Sequence, residues 1–164
     1  MEITIDELKQ GISCPYCGQQ ARLYKRTINE SMARFLIWLV AEYTIRRDWI
    51  HISEAPEIQA RRGGGDYSKL AYWNLIELKS NDDKKKKTSG YWRPTDTGIN
   101  FAFCRVSVPR AVLVFDGQVY GFSEDRVKIR YCFGRRFDYR EIMLTHNLEI
   151  AKPSPTVEAQ QRLL

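Results

Sequence analysis

The stretch YWNLIELKSNDDKKKKTSGYWRPTDTGINFAF, residues 72–103, decides how this chain is read. Two extended arms, LIELK at 75–79 and YWRPT at 91–95, flank a polar tip carrying Lys84, Lys85, Lys86 and Lys87. That is the pattern of a β-hairpin with a charged loop. Just beyond it, Thr95 and Asp96 stand where helix caps belong, ahead of Ile99, Phe101 and Phe103, and predict a short final helix. Just before it, Tyr67, Leu70, Ala71 and Asn74 share one helical side, with Trp73 adjoining and Asp66 as the cap. A short helix is expected at 66–73, with Ser68, Lys69 and Tyr72 facing outward.

Further upstream, Met32, Phe35, Leu36, Leu39, Val40 and Tyr43 form the stripe of an amphipathic helix. The helix is placed at Glu30 to Arg46, with Asn29 as its N-cap. Ile37, Trp38 and Ala41 widen its apolar face, so it should be covered on two sides. WIHIS at 49–53 alternates like a short strand. Residues 54–60 can form a short helix if Pro56 sits in its first turn, and the three glycines at 63–65 then make a turn. The order becomes helix, strand, helix, helix, hairpin, helix.

The segments YWNLIELK and SGYWRPTDTGINF resemble the hallmark of winged helix-turn-helix regulators. In that family a recognition helix runs into GLI, a wing hairpin follows, and LTxxG opens the next helix. Here Asn74 stands in place of the glycine, and Pro94-Thr95-Asp96-Thr97-Gly98 takes the place of Leu-Thr-x-x-Gly. With its CPxCG start the chain is also similar to uncharacterised phage and prophage proteins. The expected fold is therefore α+β: a winged-helix core at 27–104, a short Cys-containing segment at 1–26, a small β-rich section at 105–150 and a mobile tail from 151.

The resemblance implies contact with duplex DNA, as a transcriptional regulator or a phage accessory DNA binder. Tyr67, Ser68, Lys69 and Tyr72 would face the major groove, while Arg61, Arg62 and Lys84, Lys85, Lys86 and Lys87 would grip phosphates. The charge distribution points the same way. Of a net +6, residues 61–93 carry nine Lys and Arg against four Asp and Glu, whereas residues 1–60 carry seven against eight. A localised basic segment attracts phosphate, and evenly spread charge mostly serves solubility. The same fold also serves as a protein-docking module, and an inhibitor of a host protein is the competing expectation.

The Cys14-Pro-Tyr-Cys17-Gly18 turn reads as half of a zinc knuckle, giving Cys14 and Cys17 as ligands of one structural Zn2+. Cys104 and Cys132, or His51 and His146, are the candidates for the other half. Cys-Pro-Tyr-Cys also resembles a glutaredoxin active site, and Ser107-Val108-Pro109 followed by VLVFDGQVYGF resembles that family's later strands. Against a redox protein stand the polar DELKQGIS before Cys14 and the Gly18-Gln19 that follows Cys17, where a helix would have to run.

In the last section, residues 106–108 and 111–115 are strand-like, Asp116-Gly117 signals a type I′ hairpin and 118–122 returns. A helical turn is expected from Ser123 to Arg126, and another at 137–143. Neither His51 nor His146 has a nucleophile signature or metal spacing nearby, and no glycine-rich phosphate loop follows a strand, so no enzymatic activity is expected. The longest apolar run, 35–41, is far short of the roughly 20 residues that span a bilayer. No secretory signal opens the sequence, and a cytoplasmic protein with reduced thiols is expected.

Overall fold

A computed structural model describes residues 3–56, 66–135 and 137–149. Its organising element is a 17-residue helix. After α1 (Ile5–Gln10), β1 (Ile12–Ser13), β2 (Gln20–Ala21) and β3 (Tyr24–Thr27) comes α2, Glu30–Arg46, with the bounds expected from its apolar stripe. The Asn29 side chain caps it, accepting from the Met32 N–H at 2.9 Å. Met32, Ala33 and every residue from Phe35 to Ala41 are buried. A helix apolar nearly all round must be enclosed. Here the hairpin, the helix after it and the C-terminal elements all pack against it.

After α2 follow β4 (Ile50–His51) and a 3-10 turn at Ile52–Glu54. The remainder of the helix expected to 60, Arg61 and Arg62, the glycine turn and the tail from 151 all lie outside the described residues. The chain continues with a 3-10 helix, Tyr67–Trp73, then β5 (Ile76–Leu78), β6 (Tyr91–Pro94) and α3 (Asp96–Ala102). β5 and β6 pair antiparallel, as the two arms predicted. β4 adds to the far side of β6, giving the sheet order β4-β6-β5.

The expected helix at 66–73 needs correction. It is 3-10 rather than α, because its large apolar residues, Tyr67, Leu70 and Trp73, recur every three positions. Ala71, the fourth-position partner that an α-helix would bury, is exposed. Asp66 does not cap the segment; its carboxylate accepts instead from the Lys69 ammonium.

The joint between this segment and α3 is tight. Asn74 adopts a left-handed conformation (φ 55°) and turns the chain into β5. The Thr95 hydroxyl donates to the Asn74 carbonyl at 2.6 Å and accepts from the Gly98 N–H at 3.0 Å, while the Thr95 N–H donates to the Leu75 carbonyl at 3.1 Å. Gly98 lies directly on that backbone: a Cβ there would sit 1.9 Å from the Leu75 oxygen.

The remaining strands are β7 (Val108–Pro109), β8 (Ala111–Phe115), β9 (Gln118–Phe122) and β10 (Arg126–Val127). Asp116 and Gly117 both have positive φ (47° and 72°), as a type I′ turn requires. β8 also pairs with β3, so one sheet, β3-β8-β9, joins the N-terminal segment to the C-terminal section. The helical turn expected at 123–126 is absent. The Ser123 hydroxyl accepts from the Ala111 N–H at 2.9 Å, and Arg126–Val127 instead pairs with Val108–Pro109. A 3-10 turn at Ile129–Cys132 and α4, Tyr139–Thr145, close the described chain.

Side-chain hydrogen bonds add to the β3–β8 pairing in fastening this section to the rest. The Trp73 indole N–H donates to the Pro109 carbonyl at 2.8 Å, and the Tyr139 hydroxyl donates to the Ala102 carbonyl at 2.6 Å. A single cluster of buried side chains runs from Ile28 through α2 to Val127, Ile129, Met143 and Leu148.

Candidate nucleic-acid interface

Lys84, Lys85, Lys86 and Lys87 are all exposed in the loop that joins β5 to β6. Local polar groups shape that loop. The Asp83 carboxylate accepts from the Lys85 N–H at 2.9 Å, and the Asn81 amide donates to the Lys86 carbonyl at 2.6 Å. Those partners are backbone groups, and no ion pair engages the four ammonium groups among the described residues.

The 3-10 segment contributes less than expected. Tyr67 is a packing residue: its ring lies 4.9 Å from that of Phe35 and 5.9 Å from that of Trp92, and burial pushes its hydroxyl above the ordinary tyrosine value. Tyr72 also packs against the core, and Ser68 is half-buried. Lys69 is 30% exposed and paired with Asp66. Its ammonium holds the Asp66 carboxyl below the usual aspartate value, helped by the Asn29 side chain and the charge of Arg26.

What the sequence reading missed is the company Lys69 keeps. Lys25 and Arg26, from β3, line with it a recess of about 210 Å³ that also includes Asn29 and Asp66. Three cations and one carboxylate thus meet at one concave spot, contributed by positions more than forty residues apart. The only signal was the basic run RLYKR at 22–26, and nothing in its pattern indicated that β8 would fix it as a strand.

The Cys14–Cys17 turn joins β1 to β2. The Cys14 N–H donates to the Gln19 carbonyl at 2.7 Å, and the Gly18 N–H to the Cys14 carbonyl at 2.8 Å, with Gly18 at φ 71°. The backbone N–H of Tyr16, then that of Cys17, point at the Cys14 sulfur and hold its thiol below the ordinary cysteine value. This is knuckle geometry, but it supplies two ligands where a structural zinc ion takes four. Among the described residues no third Cys, His, Asp or Glu joins the pair.

The candidates for the second half are engaged elsewhere. Cys104 accepts from the Arg130 Nε at 3.5 Å, and burial pushes the Cys132 thiol up to about 11. His51 lies within hydrogen-bond reach of the Ser53 hydroxyl at 2.7 Å and stacks edge-on to Tyr91, while His146 ends α4. Among the described residues, no complete four-ligand zinc site is assembled. Nor does the turn open a helix, as a glutaredoxin-type site would; it links two strands.

Among the described residues no helix is long and apolar enough to cross a membrane. Comparison of the chain with protein-family models, with curated proteins and with solved structures finds no match.

Proposed function

We propose that this chain binds duplex DNA through a winged-helix module, with Lys84–87 and the cations around Lys69 as its phosphate contacts. The observation that carries this reading is the hairpin loop, which holds four consecutive exposed lysines with no ion pair among the described residues. Further support comes from the helical segment at 67–73, the hairpin and the helix at 96–102, which follow one another as the resemblance implies.

The chemistry of the contacts sets the kind of binding. Base edges are read by side chains reaching into the groove, whereas phosphates are gripped by cations. Tyr67 is packed inside and Lys69 is paired, so few groups remain to read bases. Lysines dominate, affinity comes from phosphate neutralisation, and sequence preference is weak.

The test is the affinity for random-sequence duplex DNA as a function of salt, with and without Lys84–87 changed to Ala. Each phosphate contact contributes about −0.9 to the slope of log K against log salt, so the quadruple variant should flatten the slope by roughly 3 to 4. Its affinity should fall about equally for all sequences. An unchanged slope removes the loop from the interface. If the unaltered chain does not bind duplex DNA even at low salt, the docking-module alternative takes its place.

A further inference from the structure

The sequence between 105 and 136 holds seven Lys and Arg against three Asp and Glu, and the fold gathers four of these cations around one cleft. The cleft measures about 500 Å³ and is lined by Ser107, Arg110, Arg126, Lys128, Arg130 and Tyr131. Its construction follows from the run RVKIR at 126–130. Val127 and Ile129 are buried, so the alternation turns Arg126, Lys128 and Arg130 to the solvent on one side. Pairing of β10 with β7 sets Arg126 opposite Pro109 and brings Ser107 and Arg110 alongside.

Two of the guanidinium groups are held in place by groups that do not cancel their charge. The Arg126 Nε donates to the Ser107 hydroxyl at 3.0 Å and its Nη2 to the Ser107 carbonyl at 2.6 Å. The Arg130 Nε donates to the Cys104 sulfur at 3.5 Å. Among the described residues Arg110 alone of the four has a carboxylate, Asp125 at 2.8 Å, and none of those lining the cleft is a carboxylate. Beside the cations stands Tyr131, 68% exposed, with the Arg130 guanidinium 5.8 Å from its ring centre. Positioned cations with an exposed aromatic ring recur in grooves that hold single-stranded nucleic acid, where the backbone follows the charge and a base stacks on the ring.

We propose that this cleft binds a single-stranded nucleic acid segment, with phosphates on Arg126, Lys128 and Arg130 and a base stacked on Tyr131. The site is separate from the hairpin loop, and the proposal does not rest on the duplex reading. A duplex keeps its bases paired and stacked, so Tyr131 has a partner only where a strand is single. The cleft therefore distinguishes the two forms of nucleic acid.

The experiment measures binding of a labelled oligothymidylate of about 12 nucleotides to the full chain by fluorescence anisotropy at low salt. Lys128→Glu alters an exposed side chain, so the fold is retained, and it should weaken binding by about 10-fold or more. Tyr131→Ala should cost about 10-fold, while Tyr131→Phe, which keeps the ring, should bind like the unaltered chain. The Lys84–87→Ala variant should retain oligothymidylate binding, which separates this site from the duplex interface. Unchanged binding in Lys128→Glu or in Tyr131→Ala overturns the proposal. So does competition by inorganic phosphate at the same phosphate concentration, which marks a simple anion site. Loss of oligothymidylate binding in the hairpin variant alone overturns it as well.

Discussion

Replacing Gly98 with alanine should cost this fold a large part of its stability. The added Cβ would lie 1.9 Å from the Leu75 oxygen and 2.9 Å from the Leu75 carbonyl carbon, and both atoms are backbone that no rotamer change can move. A comfortable carbon–oxygen contact is about 3.2 Å or more, so α3 must retreat by more than about 1 Å. Overpacking of this kind costs about 1–3 kcal/mol. The retreat also pulls Thr95 from the carbonyls of Asn74 and Leu75, two hydrogen bonds worth about 1 kcal/mol each. The sum, about 3–5 kcal/mol, is a substantial share of the 5–15 kcal/mol typical of a domain. Urea unfolding followed by tryptophan fluorescence should show a midpoint lower by about 2 M, given a slope near 2 kcal/mol/M. Gly121→Ala is the control: its Cβ would meet only the Leu113 Cδ1, at 3.9 Å, and stability should hardly change. A midpoint shift in Gly98→Ala below about 0.5 M would refute the close approach of α3 to the backbone before β5.

Three further outcomes follow from the same geometry. Asp66→Asn removes a half-exposed carboxylate, so stability should change by less than about 1 kcal/mol, while affinity for duplex DNA should rise a few-fold as Lys69, Lys25 and Arg26 lose their counter-charge. Because the folded-state value of Asp66 is depressed, its contribution to stability is intact above the ordinary value of 3.8 and lost as pH falls through the folded-state value; the Asn variant should lack that acid-side loss in a pH series of unfolding curves. Alkylation followed by peptide mapping at mildly alkaline pH should label Cys14 well before Cys132, and equal rates would contradict the burial of the latter thiol. Trp73→Phe deletes the donor to the Pro109 carbonyl and should destabilise by about 1–3 kcal/mol in the same urea assay; a smaller effect would mean that the carbonyl finds water instead.

The elements the sequence made legible are those in which a single pattern fixes the outcome. The stripe from Met32 to Tyr43 needs only one period to be a helix, and Asp116-Gly117 needs only positive φ at two residues. β3 gave no comparable signal, since all four of its residues are exposed and its place is set by β8, more than eighty positions away. The 3-10 geometry of Tyr67–Trp73 was present in the spacing, but three and four are neighbouring steps on a helix and the small Ala71 obscured the choice. Charge counted along the chain drew attention to Lys84–87 and hid the cleft, because Asp138, Glu141 and Glu149 offset Arg126, Lys128 and Arg130 in the count without lining the cleft. Lys25 and Arg26 were equally hidden beside Lys69, since only a folded chain brings residues of β3 to the start of the 67–73 segment.

The pairing of β3 with β8 also bears on how the protein is made. While the ribosome has delivered only the first hundred residues, Tyr24–Thr27 has no strand to bond with, and the side of α2 destined for Ile129 and Met143 faces water. Such a half-finished chain exposes a long apolar helix and unpaired backbone groups, the ingredients of aggregation during synthesis. Expressing residues 27–104 alone would leave that side of α2 uncovered permanently, whereas the chain carried through Leu148 covers it.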